Sequence, residues 1–302
     1  MKLDVDVFRE NRTNILTTPQ TIPTYLGIAG LSAINVGKVL NQGFEASLNF
    51  NTNVSKVNIF GYINWTYNKN KILARDEPNL AYPYQALTGL PVGYQLGYMA
   101  EGLFKDQAEI DASPKQSFAG RVIPGDIRYR DMNGDRVINE NDRVAIQVSN
   151  FPNNTFGASL GASWKGIDLS VLVQGALSGK TNVPYLGPAR LDDVWTPATA
   201  STASYPTVHY SLAGGQNNAQ LSTFFIYSSD YLKLKNLELG YTFPARTLAK
   251  IKINSLRIFA NGLNLATWDK LPYKDYDPEQ TANGTALYPT MKVYNVGVSM
   301  NF

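Results

Sequence analysis

The chain has 302 residues, of which 44% are hydrophobic, 12% aromatic and only 17% charged, with no cysteine and a formal net charge of +3. Disulfides and thiolate metal sites are thereby excluded, the small, scattered positive charge leaves no footprint for nucleic acid, and no run of about 18 apolar residues offers a transmembrane helix. A membrane β-barrel passes all three filters, because its strands alternate and never read as hydrophobic runs.

Met1-Lys2-Leu3-Asp4-Val5-Asp6 does not read as a signal peptide, so the expectation is a cytosolic protein or the later part of something longer. Leu3, Val5 and Val7 alternate with Asp4 and Asp6 in a first strand that extends towards Leu16. Residues 17–40, with Pro19, Pro23, Gly27 and Gly30, are expected to be irregular. Phe44, Ala46, Leu48 and Phe50 then share one face against Glu45, Ser47, Asn49 and Asn51. After a polar turn at 53–56, Val57, Ile59, Gly61, Ile63, Trp65 and Tyr67 share the next. Each run alternates over roughly 9–11 residues, the span of a tilted transmembrane strand.

A long excursion, 69–154, contains extended pieces at 93–98 and 100–104. A hairpin follows it. Phe156, Ala158, Leu160, Ala162 and Trp164 alternate with Gly157, Ser159, Gly161 and Ser163; Lys165-Gly166 turns the chain; Leu169, Val171 and Val173 return opposite Asp168, Ser170 and Gln174. Such small polar residues suit a wet lumen or a tightly packed interior better than an ordinary exposed sheet surface. A second excursion, 177–229, leads to a strand at 231–243 with Leu237, Leu239, Tyr241 and Phe243 on one face, stopped by Pro244. A helical turn is expected near Thr247 to Ile251, and Leu256, Ile258 and Ala260 mark the next strand. Beyond a third excursion, 266–292, Tyr294, Val296, Val298, Met300 and Phe302 alternate with Asn295, Gly297, Ser299 and Asn301. An alternating strand ending on Phe has the form of the assembly signal of outer-membrane barrels.

Within the first excursion, Asp131, Asn133, Asp135, Asn139 and Asp142 occupy positions 1, 3, 5, 9 and 12 of an EF-hand-type loop. Val137 would add the position-7 carbonyl, and Ile138 is the apolar anchor. Arg136 stands where the turn glycine is expected, with Gly134 two residues earlier, and Asp142 replaces the longer Glu. The flanks, 127–130 and 143–146, read as extended rather than helical, so the expectation is a Ca2+ clip between strands; an Asx-rich turn is the alternative.

No G-x-S-x-G, H-E-x-x-H, P-loop or Rossmann signature occurs, and no enzyme is expected. The single His209 reads as a polar surface residue of a loop, and Asp192-Asp193 as a solvated turn. Tyr185, Trp195, Tyr205, Tyr210, Tyr273 and Tyr276 suit either sugar stacking and partner contact or loop packing and an interfacial girdle. Lys233 and Lys235 read either as lumen cations for anionic substrates or as strand-end residues at the water boundary.

About eight strands of membrane length result, joined by tight turns (51–56, 165–166, 244–255) and long loops (17–40, 69–154, 177–230, 266–292). Transmembrane barrels show this asymmetry, with short periplasmic turns and long extracellular loops. A soluble sandwich would space its turns more evenly.

The segment P-G-D-I-R-Y-R-D-M-N-G-D-R-V-I-N-E-N-D-R (124–143), followed by N-F-P-N-N-T-F-G-A-S-L-G-A-S-W-K-G-I-D-L-S-V-L-V-Q-G (150–175), resembles the C-terminal region of SusC/RagA-type TonB-dependent transporters. N-V-G-K-V-L-N-Q-G-F-E (35–45), G-Y-M-A-E-G-L-F (97–104), Y-L-K-L-K-N-L-E-L-G-Y-T-F-P (231–244), N-G-L-N-L (261–265), Y-D-P-E (276–279) and the closing Y-P-T-M-K-V-Y-N-V-G-V-S-M-N-F follow the order of that family. The resemblance covers essentially the whole chain. It departs at Arg136, where the family usually carries Gly, which bears directly on calcium.

The resemblance implies an all-β fold, an antiparallel transmembrane β-barrel of roughly 22 strands, of which residues 1–302 would be the C-terminal eight or so, with long extracellular loops and without the N-terminal plug. It implies a place in the outer membrane of a Gram-negative bacterium, a SusD-like lipoprotein lid, energy from TonB with ExbB and ExbD, and import of oligosaccharides or oligopeptides. The alternatives are a soluble or surface-attached calcium-stabilised β-rich adhesion module and a self-contained eight-stranded barrel with a side-chain-filled interior.

Overall fold

A strand that is apolar on one face and polar on the other needs two environments, and pairing such strands in register extends both faces sideways. A computed structural model describes residues 1–21, 32–118, 120–148, 151–183, 193–210, 216–248, 253–272, 277–279 and 290–301. In chain order its strands are β1 (Lys2–Thr17), β2 (Ile34–Val54), β3 (Val57–Ala74), β4 (Tyr94–Gly97), β5 (Ala100–Leu103), β6 (Lys115–Gln116), β7 (Ile127–Tyr129), β8 (Val137–Ile138), β9 (Val144–Gln147), β10 (Asn154–Trp164), β11 (Ile167–Leu177), β12 (Lys180–Asn182), β13 (Ile226–Ser228), β14 (Tyr231–Thr242), β15 (Ser255–Asp269) and β16 (Val293–Asn301). Two short helices are α1 (Gln107–Ala112) and α2 (Ala245–Leu248).

Eight strands form one antiparallel sheet in the order β1-β2-β3-β10-β11-β14-β15-β16. The sheet is an open arc: β1 and β16 each have a single strand neighbour. The register keeps the expected faces continuous. Val7 lies opposite Phe44 and Phe44 opposite Tyr67; Ala46 meets Trp65, and Trp65 meets Phe156. Further round, Leu160, Val171 and Leu237 follow one another across three strands, and Ala260 meets Val296. From Val57 to Tyr67 the apolar face of β3 covers roughly 33 Å of strand, about 25 Å of height at the roughly 40° tilt of membrane strands.

β14 shows why the pattern survives an irregularity. Its apolar face runs Tyr241, Leu239, Leu237 and then steps to Leu234 and Leu232, because the pairing shifts between Leu172 and Val173 of β11. One extra residue would put every later side chain on the wrong face, and the offset restores the phase. The β10–β11 turn takes left-handed angles at both central residues, Lys165 (φ 48) and Gly166 (φ 86), as a two-residue turn of the favoured hairpin hand requires. A Cβ at position 166 would sit 2.5 Å from the Thr242 carbonyl oxygen, so glycine is needed there.

Several expected boundaries move. β2 starts at Ile34, so the irregular segment after β1 ends earlier than its composition suggested, and β3 runs on to Ala74, so the first long excursion begins later; the sheet rises well beyond the 9–11 residues a membrane requires. The asparagine-rich ends of these strands, exposed to water, satisfy their backbone groups by pairing with each other (Asn41 with Asn70, Gln42 with Lys69). β15 likewise continues to Asp269. The helical turn after Pro244 spans Ala245–Leu248, with the last part of the expected segment, 249–251, outside the described residues.

Burial is inverted relative to a soluble sheet protein. The core of Tyr98, Ile127, Tyr129, Ile138 and Phe225 lies entirely in the excursions, while on the sheet Leu3, Val5, Val7, Trp65, Leu239 and Val296 are exposed. The polar face is stitched by charge. Arg257 of β15 hydrogen-bonds Asp168 of β11 and donates to Glu238 of β14 at 2.7 Å, lying flat over Gly240, where any Cβ would strike the guanidinium.

Candidate functional site

The described parts of the long excursions, 75–153 and 178–230, form one packed unit at the end of the sheet away from the tight turns. Antiparallel pairs β4–β9 and β5–β7, the parallel pair β6–β8 and the pair β12–β13 supply its frame. The two excursions are tied by backbone: Tyr98 N donates to Leu221 O (2.8 Å) and Thr223 N to Tyr98 O (3.0 Å). Tyr98, Phe118 and Tyr129 pack with centroids 5.1–5.7 Å apart, and burial pushes the Tyr129 phenol well above its ordinary pKa.

The Pro124-Gly125-Asp126 segment sits at the seam between the two excursions. Gly125 (φ 90) lies under the Trp195 indole, with no room for a Cβ, and its carbonyl accepts from Thr207 N at 2.9 Å. Asp126, fully buried, accepts from Ile123 N (3.0 Å) and Asn218 Nδ2 (2.8 Å), and its Oδ1 lies 2.6 Å from His209 Nε2. Next to it Asn217 donates to Ile127 O (2.9 Å), and Gln116 donates to both Ile127 O and Asn217 Oδ1. A buried carboxylate needs such donors, since each unmet bond costs about 1–3 kcal/mol. The expectation that His209 is a surface residue is therefore corrected: its side chain is 9% exposed and clamps the second excursion to the first. Asp126, Asn217, Asn218 and Gln116 were not singled out from the sequence. Their polar residue types read as loop, and the partners lie about 90 residues away.

The 131–142 loop has the turn geometry its spacing suggested. Asp131 accepts from Gly134 N and Arg136 N (both 2.7 Å), and Asp135 accepts from Val137 N (2.8 Å). Arg136 takes the left-handed angle (φ 63) for which glycine was expected. Ile138 anchors the loop in the core, and Asn139 caps the following turn. Asp142, fully buried, accepts from Met132 N and Asn139 N (both 2.8 Å), closing the loop with its own backbone. Asn133 donates to Asp135, and Tyr84 OH donates to Asn141 O, with Tyr82 stacked on Tyr84 at 5.1 Å. Among the described residues no group of three or more His, Cys, Asp or Glu side chains is placed to hold a metal ion; Asn133, Asn139 and the Val137 carbonyl are donors outside that set.

Lys233 and Lys235 are not free lumen cations. Lys233, 3% exposed, binds Glu279 (2.6 Å) and Asp277, and Lys235 binds Glu279 (2.9 Å), pinning residues 277–279 against β14. Burial alone would raise the pKa of Asp277 and Glu279, but hydrogen bonding, led by Lys233, holds both below the ordinary carboxylate range. Trp195 and Tyr205 are packing residues of the loop unit, and Tyr210 is fully exposed. Tyr185, Asp192, Tyr273, Tyr276 and Phe302 lie outside the described residues. Tyr294, Val296, Val298 and Met300 share the exposed apolar face of β16.

Residues 1–265 match the family of TonB dependent receptor-like β-barrels. The chain belongs to that family. It is 24% identical to the TonB-dependent receptor SusC of Bacteroides thetaiotaomicron over 314 residues, covering 96% of this chain and 29% of SusC. TonB-dependent receptor P26 of Formosa agariphila is 26% identical over 332 residues, with 96% of this chain and 32% of the receptor covered. Among solved structures, that of the RagAB peptide transporter superposes with a TM-score of 0.70 at 22% identity, over 99% of this chain and 33% of the matched one. The chain thus spans about a third of the length of these relatives. The eight-stranded arc is a stretch of TonB-dependent receptor barrel wall, of the SusC/RagA type.

Proposed function

We propose that this chain provides barrel wall and extracellular loops to a transporter in the outer membrane of a Gram-negative bacterium, importing oligosaccharides or oligopeptides under a SusD-like lipoprotein lid. TonB, with ExbB and ExbD, would supply the energy through parts of the transporter other than these residues. The observation that carries the reading is the division of one sheet into a continuous exposed apolar face and a polar, charge-stitched face, crowned by a folded loop unit. A lipid-facing wall needs the first, a conducting lumen the second, and capture of a substrate under a lid the third.

A soluble calcium-stabilised adhesion module is not favoured, because it would expose Leu3, Val5, Val7, Trp65, Leu239 and Val296 to water. The mechanistic division of labour follows from the geometry. The Asp126–His209 seam and the Lys233–Asp277–Glu279 clamp hold the outer loops in one shape, so that substrate contacts are presented on a rigid base. The structural similarity to a peptide transporter supports keeping oligopeptides among the substrates.

The 131–142 loop is proposed as a weak Ca2+ site through Asp131, Asn133, Asp135, Asn139 and the Val137 carbonyl, with Asp142 recruited only if it leaves its amide partners. No step of transport is assigned to the cation.

Uptake decides the function. Cells carrying or lacking the gene are fed labelled oligopeptides and labelled oligosaccharides, and a tagged copy is purified in mild detergent. Loss of uptake of one class, with an outer-membrane lipoprotein co-purifying, is expected; unchanged uptake of both classes would remove the proposal.

A further inference from the structure

The apolar face of the first three strands ends in a set of cations. Row by row, Val7, Phe44 and Tyr67 lie side by side; the next row is Arg9, Gln42, Lys69, and the next Asn11, Leu40, Lys71. These residues follow the apolar ladder at two-residue steps, so they project on its side of the sheet. The side chains of Arg9, Lys69 and Lys71 are exposed, and none makes an ion pair among the described residues.

Acidic residues of the same strands are on the other face. Asp4, Asp6 and Glu10 alternate with the apolar positions of β1, and Glu45 does so on β2, with Asp6 directly opposite Glu45. The charge segregates across one layer of backbone: three unpaired cations on the apolar side at the loop end, carboxylates on the polar side. Where a cation of the sheet lies beside carboxylates on the polar face it pairs with them, as Lys2 does with Asp4 and Arg257 with Asp168 and Glu238. Unpaired like charges about 7 Å apart along β3 and about 10 Å apart across two strand spacings repel, and their retention beside an apolar band fits an anionic partner that is itself attached to hydrocarbon.

A groove of about 470 Å³ adjoins the two lysines; Leu90, Val92 and Phe151 line it beside polar residues such as Asn68 and Asn70. Val92 is 50% and Phe151 79% exposed.

We propose that Arg9, Lys69 and Lys71 form a docking surface for the phosphate groups of phosphorylated lipid in the outer leaflet, with Val92 and Phe151 against its chains. The proposal rests on the membrane-barrel reading above and adds the lipid partner to it. The bound lipid would hold one segment of the barrel perimeter beneath the loop unit.

The test uses the full-length transporter in nanodiscs containing phosphorylated lipid A or its dephosphorylated form, with retained lipid measured by native mass spectrometry. The variant is Arg9→Gln/Lys69→Gln/Lys71→Gln, with Lys56→Gln/Lys165→Gln at the opposite rim as control. A cation near a charged lipid surface changes partitioning roughly fivefold, so the triple variant should lose retention by on the order of a hundredfold while the control matches wild type. Equal retention of both lipid forms by wild type, or undiminished retention by an inserted triple variant, would overturn the lipid site alone. Displacement of the lipid by millimolar inorganic phosphate would reassign the surface to free anions and also overturn it. Failure of the wild-type chain to insert would instead refute the barrel reading.

Discussion

His209 Nε2 lies 2.6 Å from Asp126 Oδ1, where the histidine side chain is 9% and the carboxylate 0% exposed. The two residues are 83 apart in sequence, so this contact closes the seam between the two long excursions. Replacing His209 by Ala leaves Asp126 with Ile123 N and Asn218 as donors, at an expected cost of about 1–3 kcal/mol. Hydrogen exchange should quicken at 120–130 and 193–210 while β2 and β3 stay protected. Unchanged exchange in both segments would mean that the contact does not hold the seam.

Arg136 adopts a left-handed backbone (φ 63) that costs an L-residue roughly 1–2 kcal/mol. Arg136→Gly should therefore stabilise the 131–142 loop by about 1 kcal/mol or less, since the 3.2 Å bond from the Arg136 guanidinium to the Ala112 carbonyl is lost. Local exchange at Gly134 to Val137 reports it. Faster exchange in the variant would show that the arginine side chain contributes more than its backbone strain removes.

The same loop sets the calcium expectation. Its carboxylates already accept backbone N–H groups, so Ca2+ should bind only in the range of roughly 0.1–1 mM or weaker. Terbium luminescence sensitised by Tyr82 or Tyr84 would follow it, and Asp131→Asn should abolish the signal. Micromolar binding, or unfolding of the loop in EDTA, would show that the donors rearrange around the ion.

Asp277 and Glu279 have lowered pKa values: burial opposes the shift, and hydrogen bonds led by that from Lys233 outweigh it. Groups depressed on folding contribute stability that is complete above the ordinary carboxyl value of about 4 and is lost as pH falls through the lowered one. The 277–279 clamp should hold unchanged from pH 7 to 5 and open below about 4. A spin label at Thr290, whose hydroxyl hydrogen-bonds Asp277, would report the release. Opening between pH 7 and 6 would contradict the assignment.

What could be read from the sequence follows the range of each interaction. Alternation in Phe44 to Phe50 or Phe156 to Trp164 is local, so faces, hairpins and the Lys165-Gly166 turn were legible in the residues alone. The D-x-N-x-D spacing likewise placed the Asx turns of 131–142. The seam was not legible, because Asp126, His209 and Asn218 acquire meaning only when segments about 90 residues apart meet. The free reading of Lys233 failed for the same reason: its partners stand 44 and 46 residues further on. The extra length of β3 was hidden by the polar run Asn68 to Lys71, since paired backbone beyond the membrane needs no apolar side chain.

The central claim is that one face of the eight-stranded arc meets lipid and the other meets water. Nitroxide labels placed singly along β3 and β14 of the transporter in bilayers test it most directly, using oxygen and a water-soluble nickel chelate as relaxing agents. Ile63 and Leu239 should respond to oxygen, and Asn64 and Glu238 to the chelate, alternating along the membrane-height part of β3 and along β14 except for the one offset between Leu237 and Leu234. Chelate access to both faces, or to neither, would contradict the account.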